Sequence, residues 1–197
     1  MGLSGKMREF VHPTPIEDKY KELLRRAYEE ILKPLGFKKD GQNFRQITPD
    51  GLGKIVNFWR YGKVGIKGKR QCFGVDIGLY FEAGPTLSNR KFQKYDCQIR
   101  NVAHNPKPVT VYMYPDPQFW YIFKRTDVDT LFDSLKQGLR EALDWFAHFE
   151  SRQSTIHMIL DGSAQQYSLL NVTPYLISEI LDEALKKQLG LEEEKSE

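Results

Sequence analysis

The sequence predicts an α+β fold: an N-terminal helix, an antiparallel meander sheet of about five strands, then C-terminal helices packed on the sheet. Two observations carry this. Apolar residues recur at three- and four-residue spacing up to Leu32, at two-residue spacing through the middle of the chain, and again at helical spacing after Trp120. Turn signals at Asp40-Gly41 and Pro49-Asp50-Gly51 punctuate the middle portion, as hairpins require. No repeat, low-complexity linker or composition break divides the 197 residues, so one domain is expected over 1–197, with 1–13 and 191–197 flexible.

The first helix is signalled by Thr14-Pro15-Ile16-Glu17, where Thr can cap, Pro occupies the first helical position and Glu completes a capping box. Ile16, Tyr20, Leu23, Leu24, Ala27, Tyr28, Ile31 and Leu32 then form one apolar stripe, and Pro34 with Gly36 ends it. Next comes the Asp40-Gly41 hairpin, then the β-branched and aromatic run Lys54 to Tyr61. The clearest strand is Cys72 to Phe81: Phe73, Val75, Ile77, Leu79 and Phe81 make an apolar face, and Cys72, Gly74, Asp76, Gly78 and Tyr80 the other. Further strands are expected at Tyr95 to Val102 and Val109 to Tyr114, with loops at Gly84 to Arg90 and His104 to Pro108. A long helix starts near Thr126-Asp127 and carries a stripe from Val128 to Phe149. A short helix follows at Ser154 to Asp161, stopped by Gly162, and a last one starts at Thr173-Pro174.

Composition narrows the function classes. Hydrophobic residues make up 40%, aromatics 13% and charged residues 28%, enough apolar material to bury a core. No apolar run approaches the roughly 18 residues of a membrane helix, and Met1 to Lys6 lacks the apolar stretch of a secretory signal, so a cytoplasmic protein without membrane contact is expected. Cys72 and Cys97 are too few for a disulfide framework and form no Cys-x-x-Cys pair; buried thiols are expected. His12, His104, His148 and His157 show no metal-ligand spacing, so neither metal nor cofactor is expected.

The net charge of +3 conceals an uneven distribution. Residues 36–126 carry 16 basic and 6 acidic groups, whereas residues 127–197 carry 6 and 14. The sheet is therefore basic and the C-terminal helices acidic, which suits internal complementarity between layers.

The ordered segments Gly36-Phe37-Lys38-Lys39, Phe44-Arg45, Ile55-Val56-Asn57-Phe58 and Phe73-Gly74-Val75-Asp76-Ile77-Gly78 resemble a bacterial domain-of-unknown-function family, number 4304 in its series. Cys97-Gln98-Ile99-Arg100, Phe119-Trp120 and Leu143-Asp144-Trp145-Phe146 extend the resemblance, which covers about Tyr20 to Leu160. Phe119 stands where the family more often has Trp, and the segment from Gln165 onward matches no family pattern. The resemblance implies an α+β domain in a cytoplasmic setting and supplies no catalytic residues. It also hints at immunity proteins, since small α+β domains of this kind sometimes sit beside toxin genes.

Three candidate sites emerge. Asp76 lies mid-strand between Gly74 and Gly78, where bare backbone admits a helix or a ligand; Arg45, Arg60 and Arg100 are candidate partners, either as structural ion pairs or as donors to an anionic ligand. A basic stretch containing Lys54, Arg60, Lys63, Lys67, Lys69 and Arg70, interleaved with Phe58, Trp59 and Tyr61, has the mixture that binds nucleic acid or phosphate; a solvated hairpin loop is the plainer reading. Phe119, Trp120 and Tyr121 form either an exposed partner-binding patch or packing between strand and helix, and core packing is favoured. For catalysis, Cys97 with His104 is the one nucleophile and base pairing to weigh, and buried thiol is the better reading. The leading reading is a non-enzymatic protein that binds another macromolecule, with a protein partner ahead of nucleic acid. The alternative is a small enzyme or anionic-ligand-binding domain around Asp76.

Overall fold

The structure, a computed structural model, describes residues 15–64, 70–81, 93–108, 110–111, 114–115 and 117–168, with backbone alone for 62–64, 70, 95, 110–111 and 114–115. Thr14, Lys67, Lys69, Glu82, Asp116, the loop at 84–90, the helix expected from Thr173 and both chain ends lie outside the described residues.

Helix α1 (Ile16–Arg26) starts from Pro15, whose carbonyl accepts from the Asp18 and Lys19 amides. It runs on into a π-helical segment, Ala27–Leu32, in which the Lys33 amide reaches back to Tyr28 O. The end is a Schellman motif: Gly36 at φ +85 lets its own amide bond Lys33 O and the Phe37 amide bond Leu32 O. The stripe read from the sequence is the buried face, with Leu23, Ala27 and Leu32 at or below 1% exposure.

Six strands form the main sheet: β1 (Lys38–Asp40), β2 (Asn43–Ile47), β3 (Leu52–Val64), β4 (Arg70–Phe81), β5 (Ile99–Val102) and β8 (Trp120–Phe123). All pairings are antiparallel, and the order β1-β2-β3-β4-β5 is the expected meander. Asp40 pairs with Asn43 across a two-residue turn with Gly41 at φ +63, so the Asp-Gly signal marks a hairpin as read. Since β3 occupies one edge of β4 throughout, β5 (on Asp76–Leu79) and β8 (on Arg70–Phe73) share the other.

Two expectations are corrected. The strand expected from Tyr95 begins at Ile99, because residues 94–96 form a 3₁₀ turn capped by Gln93, whose amide donates to Asp96 Oδ2 at 2.8 Å. The strand expected at Val109 to Tyr114 is instead a small hairpin of β6 (Thr110–Val111) and β7 (Tyr114–Pro115), paired with each other and outside the main sheet.

Helix α2 (Val128–Trp145) opens on Asp127, whose carboxylate accepts from the Thr130 amide at 2.8 Å. A 3₁₀ turn (Phe146–His148) leads to α3 (Arg152–Leu160), capped by Ser151 and ended at Gly162 with φ +81. The helices cover one face of the sheet, where Phe44, Val56, Phe58, Phe73, Ile77, Leu79, Trp120 and Ile122 meet Leu23, Phe132, Leu135 and Leu139 in one core. The alternation predicted for β4 is met in full: Phe73, Val75, Ile77, Leu79 and Phe81 are all buried in this core.

Candidate functional site on the outer sheet face

Opposite the helices, the registers of β2 to β5 and β8 place side chains in rows. One row is Arg45, Ile55, Gly78 and Arg100; the next is Asn43, Asn57, Asp76 and Val102. Trp59 then stands opposite Gly74, and Cys72 opposite Tyr121.

Asp76 is the polar centre of this face. Trp59 Nε1 donates to its Oδ1 at 2.8 Å, and Lys94 Nζ donates to Oδ2 at 2.6 Å. The two charged side chains are only 18% and 20% exposed, and the Lys94 ammonium lies 5.1 Å from the Trp59 ring centroid. The glycines beside Asp76 are explained by this arrangement. A Cβ on Gly74 would fall 2.8 Å from the Trp59 ring, and one on Gly78 would fall 2.8 Å from Cys97 Sγ. The bare strip is thus filled by an indole and a thiol rather than by a helix.

The expected arginine partners stand elsewhere. Arg45 pairs with Asp40 at 2.9 Å. Arg60 lies on the helix side, bonding Glu17 at 2.9 Å with its guanidinium 5.2 Å from the Tyr20 ring. Arg100 shares the outer face, and its Nε is buried without a hydrogen bond. Among described residues, Asp76's ion-pair partner is Lys94, which sequence reasoning missed; Lys94 sits on an irregular turn whose placement over β4 no period announces.

The basic stretch is likewise divided. Lys54 faces the helices, its ammonium 5.5 Å from the Phe146 ring, where burial holds its pKa below the usual lysine range. Lys63 and Arg70 occupy the far end of the β3–β4 ladder, in the pairs Lys63↔Gln71 and Val64↔Arg70, and Arg70 stands opposite Phe123.

The aromatics make the most distinctive feature. A bulge in β3 sets Tyr61 and Gly62 against Cys72, whose Sγ donates to Tyr61 O. Tyr61 emerges 62% exposed. It packs with Trp59 and Phe119 in a mutual cluster, with ring centroids 6.2, 5.3 and 6.0 Å apart and planes at 59–76°. Tyr121 continues the band at 6.4 Å from Phe119, and Phe123 at 6.4 Å from Tyr121. Trp120, by contrast, points into the core, where it stacks on Phe73 at 5.8 Å and donates from Nε1 to Ser134 Oγ. Core packing is therefore right for Trp120, and Tyr121 is buried as well, at 8% exposure against Cys72 on the other side of the sheet, while Phe119 belongs to the half-buried outer cluster.

Nucleophilic chemistry finds no support in the thiols. Cys97 is buried over Gly78, and burial pushes its pKa up to about 12 against the pull of Arg100 and Arg45, so it is a neutral thiol at physiological pH. His104 is on the other side, its carbonyl against Gly138 of α2. Cys72 and Cys97 form no disulfide: Cys97 packs over Gly78, six positions along β4 from Cys72. Among the described residues no group of three or more His, Cys, Asp or Glu is placed to hold a metal, and no helix is long and apolar enough to cross a membrane.

Fold and face together define a helix-backed antiparallel α+β domain whose opposite sheet face carries an aromatic band around a neutralised aspartate. The chain belongs to the family described as Domain of unknown function (DUF4304), whose pattern matches residues 28–148. That span contains all six strands of the main sheet and α2. Neither the curated proteins nor the solved structures include a match.

Proposed function

We propose that the protein is a non-enzymatic, cytoplasmic binding domain that engages another macromolecule through the outer face of its sheet. The observation that carries this reading is the Trp59, Tyr61 and Phe119 cluster, with Tyr61 62% exposed at its rim. Exposed aromatic side chains offer a partner large rigid contact area at little conformational-entropy loss, and such residues anchor interfaces. The reactive groups nearby are already engaged: Asp76 is held by Lys94 and Trp59, and Cys97 is protonated. An immunity role is the special case in which the partner is a toxin, and co-expression with the product of an adjacent toxin gene tests it.

The broader reading is tested by a photo-crosslinking residue placed at Tyr61 in the organism that encodes the chain. Leu35, 49% exposed beyond the end of the first helix, is the control position. One discrete adduct is expected at Tyr61, absent from the control and lost on Phe119→Asp in a protein that still unfolds cooperatively. Equal labelling at Tyr61 and Leu35 refutes the interaction face.

A further inference from the structure

We propose that one end of the outer face, the row of Arg45, Ile55, Gly78 and Arg100 with its neighbour Asn57, is covered by a segment of this same chain: the amphipathic stretch Thr173 to Gly190, which lies outside the described residues. The row is closed to solvent although α1, α2 and α3 pack on the other face. Ile55 is 0% exposed, Arg45 and Asn57 are each at 9%, and the Arg100 Nε is buried. Among the described residues, the hydrophobic neighbours of Ile55 are Cys97 and the partly buried Tyr80, in a cluster separate from the main core. A fully buried side chain typically touches about 6–12 others, so this pair leaves much of the enclosure to be supplied. The closure is a property of the single chain, which sets a second copy aside as the occupant.

The described chain ends where such a cover would begin. Tyr167 stacks on His148 at 4.5 Å and its carbonyl accepts from Trp145 Nε1, which ties it to the helix layer at the end of α2. One residue later, Ser168 Oγ bonds both the amide and the carbonyl of Arg100, on the edge of β5 that no described strand occupies. The chain therefore passes from the helix layer to the sheet edge, level with the Arg100 row, and the face behind it is already filled. The five residues from Ser168 to Thr173 reach up to about 18 Å, enough to turn onto the outer side. At helical spacing Leu176, Ile177, Ile180, Leu181, Ala184 and Leu185 share one face, with Asp182 and Lys186 opposite. A helix over Thr173 to Gly190 would be about 27 Å long, whereas the four strands from Arg45 to Arg100 span about 14 Å, so one helix can cross the whole row. The charges agree in sign. Residues 169–197 carry seven acidic and three basic groups, and Arg100, at the receiving edge, has no ion pair among the described residues. Tyr61, 62% exposed at the other end of the face, lies beyond the cover, so the interaction surface proposed above narrows to the aromatic end. The cover itself does not depend on a partner binding there.

The test uses the full chain with a diazirine amino acid in place of Leu181, irradiated and mapped by mass spectrometry. Intrachain links to the strand segments around Ile55, Tyr80 or Cys97 are expected. Links confined to α1, α2 or α3, links only between chains that grow with protein concentration, or a yield no higher than from the same amino acid at Lys195 overturn the proposal. Alkylation of Cys97 by iodoacetamide gives a second readout. Ile177→Asp with Leu181→Asp, in the middle of the apolar face, speeds it roughly tenfold by opening the cover, whereas Lys186→Asp on the polar face leaves it unchanged. An unaltered Cys97 rate in the double variant refutes the cover. Cys72, 2% exposed further along β4, stays unreactive if the sheet remains closed; should both thiols open together, the crosslink decides, because it needs no destabilised protein. A partner adduct at Tyr61 without the Leu181 link refutes the cover and leaves the interaction face standing, and the reverse result does the opposite.

Discussion

Substituting Gly74 by Ala puts a methyl group where Trp59 already lies. The new Cβ would sit 2.8 to 2.9 Å from three atoms of the indole, inside the distance at which a neighbour must shift. The indole is poorly placed to yield, because its Nε1 is bonded to Asp76 at 2.8 Å and Phe119 packs against it at 5.3 Å. Overpacking of this kind costs about 1–3 kcal/mol, and losing a hydrogen bond to an ionised group costs a further 1.5–3 kcal/mol where the shift breaks it. The two together come to about 2.5–6 kcal/mol, and a loss of only about 2 kcal/mol already lowers the melting temperature by roughly 4–8 °C for a domain of this size. The clean assay is a double-mutant cycle with Trp59→Ala, followed by urea unfolding with circular dichroism at 222 nm. With the indole gone the methyl loses its three nearest clashing atoms, so Gly74→Ala becomes much less costly and the coupling energy reaches about 2 kcal/mol in magnitude. Additive changes, or a cost below about 0.5 kcal/mol for Gly74→Ala alone, would refute the account of why glycine stands there.

Further outcomes are expected elsewhere in the molecule. Lys94→Met leaves the largely buried Asp76 carboxylate held by the Trp59 indole N–H but without its counter-ion; the 20% exposure tempers the penalty to about 1–3 kcal/mol, and Lys94→Met with Asp76→Asn recovers much of it in urea unfolding. Asn105→Ala removes a side chain that donates to Phe119 O and accepts from Ser134 and from the Lys107 amide, so a loss of about 2–3 kcal/mol in the same assay is expected; an unchanged midpoint contradicts it. Cys97, raised by burial to about 12, resists iodoacetamide at pH 8 in the native state and reacts in urea. Its thiol keeps its proton in the folded state beyond the pH at which the unfolded chain loses it, so its contribution to stability is full below about pH 9 and declines as pH rises toward 12. A stability curve over that window whose slope is unaltered by Cys97→Ala would count against this.

Local pattern carried most of the fold. The stripe of α1, the alternation of β4, the cap at Asp127 and the stop at Gly162 are dictated by neighbours in sequence, and each is found as read. The strand Trp120–Phe123 is a sixth beyond the expected meander: Phe119, Tyr121 and Phe123 do alternate with Trp120 and Ile122, but the helical period that starts a few residues later dominates the window. The site was less legible. Asp76 was recognisable from its flanking glycines, but its partners come from Trp59 on the adjacent strand and from Lys94 on a turn, and cross-strand register is a tertiary property. Arg60 lies on the strand next to that of Asp76, yet a single position of alternation sends it through to Glu17 on the other side. Charge complementarity between layers is expressed in that same Arg60–Glu17 pair, which joins sheet to helix, while Arg25–Glu22, Arg26–Glu30 and Arg45–Asp40 are local and Arg26–Asp129 joins helix to helix.

The shared edge of β4 has a consequence for how the molecule breathes and how it tolerates change. Because β5 holds Asp76–Leu79 and β8 holds Arg70–Phe73, the chain departs from this edge after Val102 and rejoins it at Trp120, leaving a seam between two separately zipped ladders. Asn105 and Ser134 rivet the near side of that detour to α2. Residues can be gained or lost within the detour without shifting either register, and the Trp120 ladder, bearing the aromatic band, can open while the Ile99 ladder stays closed. In hydrogen exchange the amides of these two edges will therefore report two opening free energies where a continuous strand would report one.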